Sequence, residues 1–204
     1  MSDEGKLTDK QQRVLAAAME VFAERGYAGT STAEIAKRAG VAEGTVFKNY
    51  RTKKDLLLGV IAPVFARIVA PKLLEDVKAI VTAPHATFED LLRALYHNRV
   101  DFIRSHARIA RIALQEVPFH DEVRELAKKT LAHNVLPDVL AMIARFQKTG
   151  EIRKDVAPMS IVRLIAGTFL AYTVSVVLIA PKGSWDDAAE VELMARTIAK
   201  GLRP

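Results

Sequence analysis

The sequence predicts an all-α protein of nine helices, and three observations carry that prediction. Apolar residues recur at three-and-four spacing along almost the whole chain, and no segment alternates as a half-buried strand would. Helix starts and stops are marked by local chemistry: Ser or Thr followed three residues later by an acid or amide, and Gly or Pro at the ends. The 204 residues are 50% hydrophobic, which is ample for a packed core. The chain contains no Cys, which excludes disulfides, thiolate metal sites and cysteine nucleophiles and fits a reducing compartment. The opening MSDEGKLTDK is polar and resembles no secretory signal, so a cytoplasmic location is expected.

The first helix opens on Thr8 with Gln11 as a capping box, carries Val14, Leu15, Ala18, Val21 and Phe22 as its apolar stripe, and closes at Gly26. The segment from Ser31 to Lys54, STAEIAKRAGVAEGTVFKNYRTKK, then reads as two short helices joined by a turn. Ser31 and Glu34 form a second capping box, Ile35, Ala36 and Ala39 an inner face, and Gly40 supplies the left-handed conformation that ends the helix. The next helix starts at Glu43, with Val46, Phe47 and Tyr50 on or near its inner side and Thr45, Lys48 and Asn49 left outward. Two short helices at a steep angle, the motif lying at about 31–50, are the arrangement that reads DNA. Between Lys37 and Lys54 stand six basic residues against one acid, Glu43, a local balance of 6 − 1 = +5 beside the chain's formal charge of +6, so the positive field is concentrated there. A field of that sign favours a phosphate backbone.

Thr52 and Asp55 open a fourth helix whose apolar side runs Leu56, Leu57, Val60, Ile61, Val64, Phe65 and Ile68, with Pro63 as a point of kinking. Five more helices follow: one opened by Thr87 and Asp90 and running over 88–105, a shorter one stopped by Pro118, one over 121–149 with a bend at Pro137, one over 157–180, and a last one over 185–202 after a Ser184 cap. The stretch 164–180 is uncharged for 17 residues, at the lower edge of a membrane span. Arg163 and Lys182 bracket it, Thr168, Tyr172, Thr173 and Ser175 interrupt it, and there is no second span, so a helix buried on more than one side is expected instead of a membrane segment. Gly167, Ala171 and Ser175 form a row of small residues along it that suits close approach of a second subunit.

The motif IAKRAGV-A-EGTVFKNYRTKKDL resembles that of the TetR family of bacterial transcriptional regulators, most strongly over 10–56, and the later GEIRKD segment is similar as well. Two positions depart from the family pattern: Asn49, where an aromatic or His is usual, and Lys54, where Glu is common. The resemblance implies a TetR-like architecture, with a DNA-binding head at 1–51 and a body at 52–204 for effector binding and dimerisation. It also implies a homodimer that places two recognition helices in successive major grooves of a pseudo-palindromic double-stranded operator. Two-fold symmetry doubles the bases read, with half-sites about 34 Å or a multiple apart.

The roles then follow by position. Ser31 at a helix start suits a phosphate oxygen. Thr45 and Lys48 face DNA, Lys48 as phosphate contact or guanine donor and Thr45 by its hydroxyl or against a thymine methyl. Asn49 has two readings, adenine recognition by its amide or a cap near the end of its helix. Gly44 costs about 1 kcal/mol of helix propensity against Ala and permits close approach of the backbone to DNA. Tyr50 and Lys53 are candidates for phosphate contact, Tyr50 equally for core packing, and Phe47 for a partly exposed place against the DNA backbone.

In the body, Arg99 and His106 lie with Phe102 on an apolar stripe and either line a cavity that meets a polar ligand atom or are satisfied internally. Phe65, Phe169 and Tyr172 are further candidates for the cavity wall, and a mostly apolar cavity suits a lipophilic or aromatic effector. The last helix, with Val191, Met194 and Ile198 in its stripe, is expected to join Gly167, Ala171 and Ser175 at a four-helix dimer interface. Five His residues lack metal-site spacing, and no phosphate loop, nucleophile elbow or carboxylate pair asks for catalysis, so no enzyme activity, metal or cofactor is expected. The alternative to a ligand-released repressor is a helical membrane-associated or small-molecule-binding protein without an operator.

Overall fold

The computed structural model describes residues 8–64, 70–181 and 184–204. It is all-helical, with eleven α-helices among the described residues. In order they are α1 (Asp9–Arg25), α2 (Thr32–Ala39), α3 (Glu43–Asn49), α4 (Lys53–Val64), α5 (Ala70–Thr82), α6 (Phe88–Ser105), α7 (Ala107–Glu116), α8 (Asp121–Asn134), α9 (Leu136–Thr149), α10 (Pro158–Val174) and α11 (Asp187–Gly201). A short 3₁₀ turn, Val117–Phe119, follows α7, and a π-helical turn, Ser175–Ile179, extends α10.

Of the two helices beyond the expected nine, one comes from a break and the other from a region left unassigned. The expected 121–149 helix divides at Val135, because Pro137 stands in the first turn of a helix, where its missing N–H is no loss, and not in an interior. Helix α5 occupies a region to which the sequence reading assigned no element of its own. The capping chemistry is otherwise where the sequence puts it. Thr8 and Gln11 form a full capping box, Gly40 and Gly150 end α2 and α9 with φ of 66° and 85°, and Thr52 and Asp55 exchange two hydrogen bonds of 3.0 Å at the start of α4. Two caps differ. Ser31 Oγ accepts the Glu34 N–H at 3.2 Å, but the Glu34 carboxylate pairs with Arg25 at 2.9 Å. The last helix is capped by Asp186, whose carboxylate accepts the Ala189 N–H at 3.0 Å, and not by Ser184.

The chain packs as two units, Met1–Val69 with Arg108–Glu125, and Ala70–Ala107 with Leu126–Pro204. The expected division at 51/52 follows the chain, whereas packing also gathers α4 and α7 into the head. The head core joins Val14, Val21 and Phe22 of α1, Ile35 of α2, Val46 of α3, Leu56 and Leu57 of α4, and Ile112 of α7. A buried Glu116 ends α7 and accepts the Tyr27 N–H at 3.1 Å, with His120 Nε2 3.3 Å from its other oxygen.

The second unit is built on α6, whose Phe88, Leu91, Leu92, Tyr96 and Val100 are buried. Along α11 the stripe Val191, Met194, Ala195 and Ile198 is buried within this same chain, Val191 completely, and α11 lies along α6. This corrects the expectation that Val191, Met194 and Ile198 face a second subunit: a period of three and four shows that a face is buried, not which helix covers it. The residues that α11 exposes are Ala188, Ala189, Leu193, Arg196, Thr197, Lys200 and Gly201. Helix α10 and its π turn, Pro158–Ile179, are long and apolar enough to cross a membrane by composition. Ile161, Ile165, Tyr172 and Thr173 turn into the body, while Leu164, Gly167, Leu170 and Ala171 are exposed and Ser175 is half-buried.

Candidate nucleic-acid interface and ligand cavity

The seven residues of α3 are too few to hold a helix by themselves, and their surroundings supply what the length does not. Ala42 at the N-cap makes no side-chain bond. Instead Thr32 Oγ donates to Glu43 Oε1 at 2.8 Å, tying the starts of α2 and α3, and Val46 is completely buried. At the far end Asn49 Nδ2 donates to Thr45 O at 2.9 Å, while its Oδ1 accepts from Gln11 Nε2 at 3.1 Å. Of the two readings of Asn49, this geometry supports the cap: both ends of its amide are engaged by groups of the head, on an exposed side chain.

Along α3, Glu43, Gly44, Phe47, Lys48 and Asn49 are exposed, with Thr45 half-buried among them. A Cβ at Gly44 would meet nothing within 4 Å, so nothing inside the chain requires glycine there. Phe47 is 47% exposed, an apolar ring standing open on a polar helix. The Tyr50 ring lies against Gly59, where an added Cβ would stand 2.7 Å from its Cε1, and burial pushes its phenol pKa up. Its hydroxyl bonds to no group among the described residues, so packing and a phosphate contact are compatible.

The basic charge is less free than its count implies. Arg38 pairs with Glu24 at 2.8 Å and holds that carboxyl below its ordinary pKa, and Lys54 pairs with Glu122 at 2.7 Å. Lys53, expected at phosphate, donates from Nζ to Tyr27 O at 2.7 Å and to Thr30 O at 3.0 Å, and lies 4.3 Å from the centroid of the Tyr27 ring. It closes the α1–α2 loop, adding a second donor to Tyr27 O, which also accepts the Thr30 N–H at 3.3 Å, and supplying one to Thr30 O. Lys37, Lys48 and Arg51 are exposed and have no ion-pair partner among the described residues. One lies in α2, one in α3 and one just after α3.

In the second unit a cavity of about 260 Å³ is walled by apolar side chains, among them Val77, Leu95, Val139, Met142, Ile165 and Phe169. Two polar residues reach its wall, Tyr96 and Arg99. Tyr96 donates its hydroxyl to Ile165 O at 3.1 Å, and burial raises its pKa. Arg99 is 7% exposed; its Nη2 stands 3.3 Å from Asp76 Oδ2, and its Nε donates to Asn98 Oδ1 at 3.0 Å. Burial lowers its pKa against the opposing pull of Asp76. Phe102 and His106 stack on each other with centroids 4.4 Å apart and are not part of the cavity wall, and Tyr172 bonds instead to Asp187 and Arg104. Phe65 lies outside the described residues.

Residues 14–60 match the sequence profile described as bacterial regulatory proteins, tetR family. The head is a TetR-family head. A fatty acid metabolism regulator protein of Bacillus subtilis (strain 168) is 35% identical over 74 residues, 36% of this chain and 38% of the relative. An HTH-type transcriptional regulator of the same organism, YuxN, is 29% identical over 129 residues, 60% of this chain and 41% of the relative. The chain thus spans about two fifths of the length of these curated relatives. The TetR-type fold extends through the body. The Bacillus subtilis regulator FadR, solved in complex with stearoyl-CoA, superposes with a TM-score of 0.66 at 23% identity, covering 94% of this chain and 99% of that one. The ketosteroid regulator KstR2 of Mycobacterium tuberculosis gives 0.68 at 19%, covering 98% of both.

Within this TetR head the sequence reading missed two contributors. Gln11 was assigned only to a capping box, yet its amide also holds the end of α3, and Thr32 holds the beginning. Both lie far from their partners along the chain, and local pattern carries no signal for such a bond. In the body it missed the apolar share of α9, since Val139 and Met142 wall the cavity beside Arg99.

Proposed function

We propose that this protein is a ligand-responsive transcriptional repressor that binds a pseudo-palindromic DNA operator as a homodimer and leaves it when a small lipophilic effector occupies the body. The observation that carries the reading is the outward face of α3: Gly44 and Lys48 are exposed and Thr45 half-buried on a TetR-family head, and Lys37 and Arg51 are likewise exposed with no ion-pair partner among the described residues. Side chains of this kind reach base edges and phosphates, and unpaired cations release counterions on binding.

Support for the homodimer comes from α10, where Leu164 and Leu170 are 45% and 51% exposed beside Gly167 and Ala171, and from Leu193 of α11 at 52%. Leucines so exposed on a helix of this composition suit a two-fold contact. Support for a lipophilic effector comes from the cavity, whose wall is apolar apart from Tyr96 and Arg99. The names of similar proteins, a fatty acid metabolism regulator and a ketosteroid regulator, point to the same chemical class.

Sedimentation and DNA-binding anisotropy on palindromes from the chain's own regulatory region test the reading together. A dimeric mass with one dimer per palindrome supports it, and a monomer indifferent to the palindrome contradicts it.

A further inference from the structure

The cavity of the second unit shows its occupant only carbon, and its size is definite. Resting on the reading of the body as the effector-binding unit of a regulator, we infer that the effector fills this cavity with a plain aliphatic segment of about ten carbons. Every polar group of the effector stays outside, so chain length sets affinity and the head group does not.

Three observations lead there. First, the two polar residues on the wall keep their polar atoms off it. Tyr96 donates its hydroxyl to Ile165 O at 3.1 Å, while Arg99 directs Nε to Asn98 Oδ1 at 3.0 Å and Nη2 toward Asp76 Oδ2 at 3.3 Å. Second, the two rings on the wall, Tyr96 and Phe169, stack on each other with centroids 6.4 Å apart. Apart from Arg99, the remaining lining side chains among the described residues, such as Val77, Val139 and Met142, are aliphatic. Third, the volume sets a capacity. An apolar cavity of about 150 Å³ holds benzene, so one of about 260 Å³ holds about ten carbons in the same proportion.

A hydroxyl or carboxylate drawn into this space would lose its water and meet no partner, a cost that contact with a carbon wall does not return. Each methylene that enters raises affinity about fourfold by leaving water. Carbons beyond the filled volume remain in water and add little. A head group that stays in solvent meets only screened charges, so its own charge changes affinity little at physiological salt.

The experiment titrates the full chain by calorimetry with two series of probes from six to fourteen carbons, alkyl glucosides and alkyl carboxylates, below their micellar concentrations. In both series affinity is expected to rise about fourfold per methylene from six carbons and to level off at about ten. At equal chain length the neutral and anionic heads are expected to differ by less than about threefold at 0.15 M salt. A hydroxyl placed inside the chain, as in 5-hydroxydecanoate, is expected to weaken binding about fivefold or more against decanoate. Val139→Phe adds about four carbons to the wall of a close-packed space and is expected to move the levelling-off to about six, with circular dichroism unchanged. The wild-type profile decides by itself if that variant fails to fold. The inference is overturned if affinity climbs as steeply from ten to fourteen carbons as before, if it is flat from six to ten, if head group outweighs length, if the internal hydroxyl costs nothing, if a folded Val139→Phe protein keeps the wild-type profile, or if neither series binds. Operator binding by the unliganded chain is a separate measurement, so loss of the regulator reading is distinguished from loss of this one.

Discussion

Replacing Lys53 by Met tests the division of labour among the basic residues of the head. By sequence, Lys53 is one cation among six around α3 and a candidate phosphate contact. In the structure its ammonium donates to Tyr27 O and Thr30 O at 2.7 and 3.0 Å and lies 4.3 Å from the Tyr27 ring centroid. A buried charge-assisted hydrogen bond contributes roughly 1.5–3 kcal/mol, but Lys53 is half-buried and water can reach the carbonyls it leaves, so about 1 kcal/mol each is appropriate. The cation–ring contact adds about 0.5 kcal/mol. Lys53→Met should therefore destabilise the head by about 2.5 kcal/mol, equivalent to a Tm lower by roughly 5–10 °C for a chain of this size. Salt dependence separates this role from a phosphate contact. Lys48→Ala should reduce the slope of log affinity against log salt by about 0.9 per protomer, with little change in Tm, whereas Lys53→Met should leave the slope unchanged. Thermal melting and fluorescence anisotropy at several salt concentrations read both quantities. A Lys53→Met protein of wild-type Tm whose slope has fallen by one contact would refute the assignment.

Gly44→Ala should stabilise α3 by about 1 kcal/mol in the free protein, because the added Cβ meets nothing within 4 Å, and yet weaken operator binding if backbone and DNA meet there; unchanged DNA affinity would remove Gly44 from the interface. Asn49→Ala should lower affinity for all operator sequences alike, as expected of a side chain bonded to Thr45 O and Gln11 Nε2. A double-mutant cycle with Gln11→Ala should show a coupling of about 0.5–1 kcal/mol, while relaxed preference at a single base would restore the base-reading role. In the body, Arg104 first and Tyr172 second hold the Asp187 carboxyl below its ordinary pKa. A group depressed in the folded state stabilises above its unfolded pKa and loses that contribution as pH falls through the folded value. Asp187→Asn should therefore flatten the decline in melting temperature below about pH 4, and an acid limb identical to wild type would show the pair to be idle.

The parts of this fold that the sequence discloses are those whose cause is local. Thr8 with Gln11, Thr52 with Asp55, and Gly40 each act within one turn of their own helix, and each stands where its spacing indicates. Pro137 marked the right place but a bend was expected, and only the backbone shows that the helix ends and restarts there. The unread part depends on partners distant in the chain. Nothing near Lys53 signals the carbonyls of Tyr27 and Thr30, and nothing near Asn49 signals Gln11, 38 residues earlier. The α11 stripe illustrates the same limit in the body: its period correctly marks a buried face, and α6 of the same chain turned out to cover it. Of the candidate cavity residues, Arg99 and Phe169 reach the wall, while Phe102 and His106 on the Arg99 stripe stack on each other instead. A helical stripe is wider than the cavity it borders.

The central claim is that two copies of α3 read a two-fold DNA site through Thr45 and Lys48. Selection of duplexes from a random pool by the full-length protein tests it most directly. The account predicts recovery of a pseudo-palindrome whose half-sites lie about 34 Å apart or a multiple of that, with Lys48→Ala losing the enrichment. Recovery of a single asymmetric site, or enrichment that survives Lys48→Ala unchanged, would contradict it.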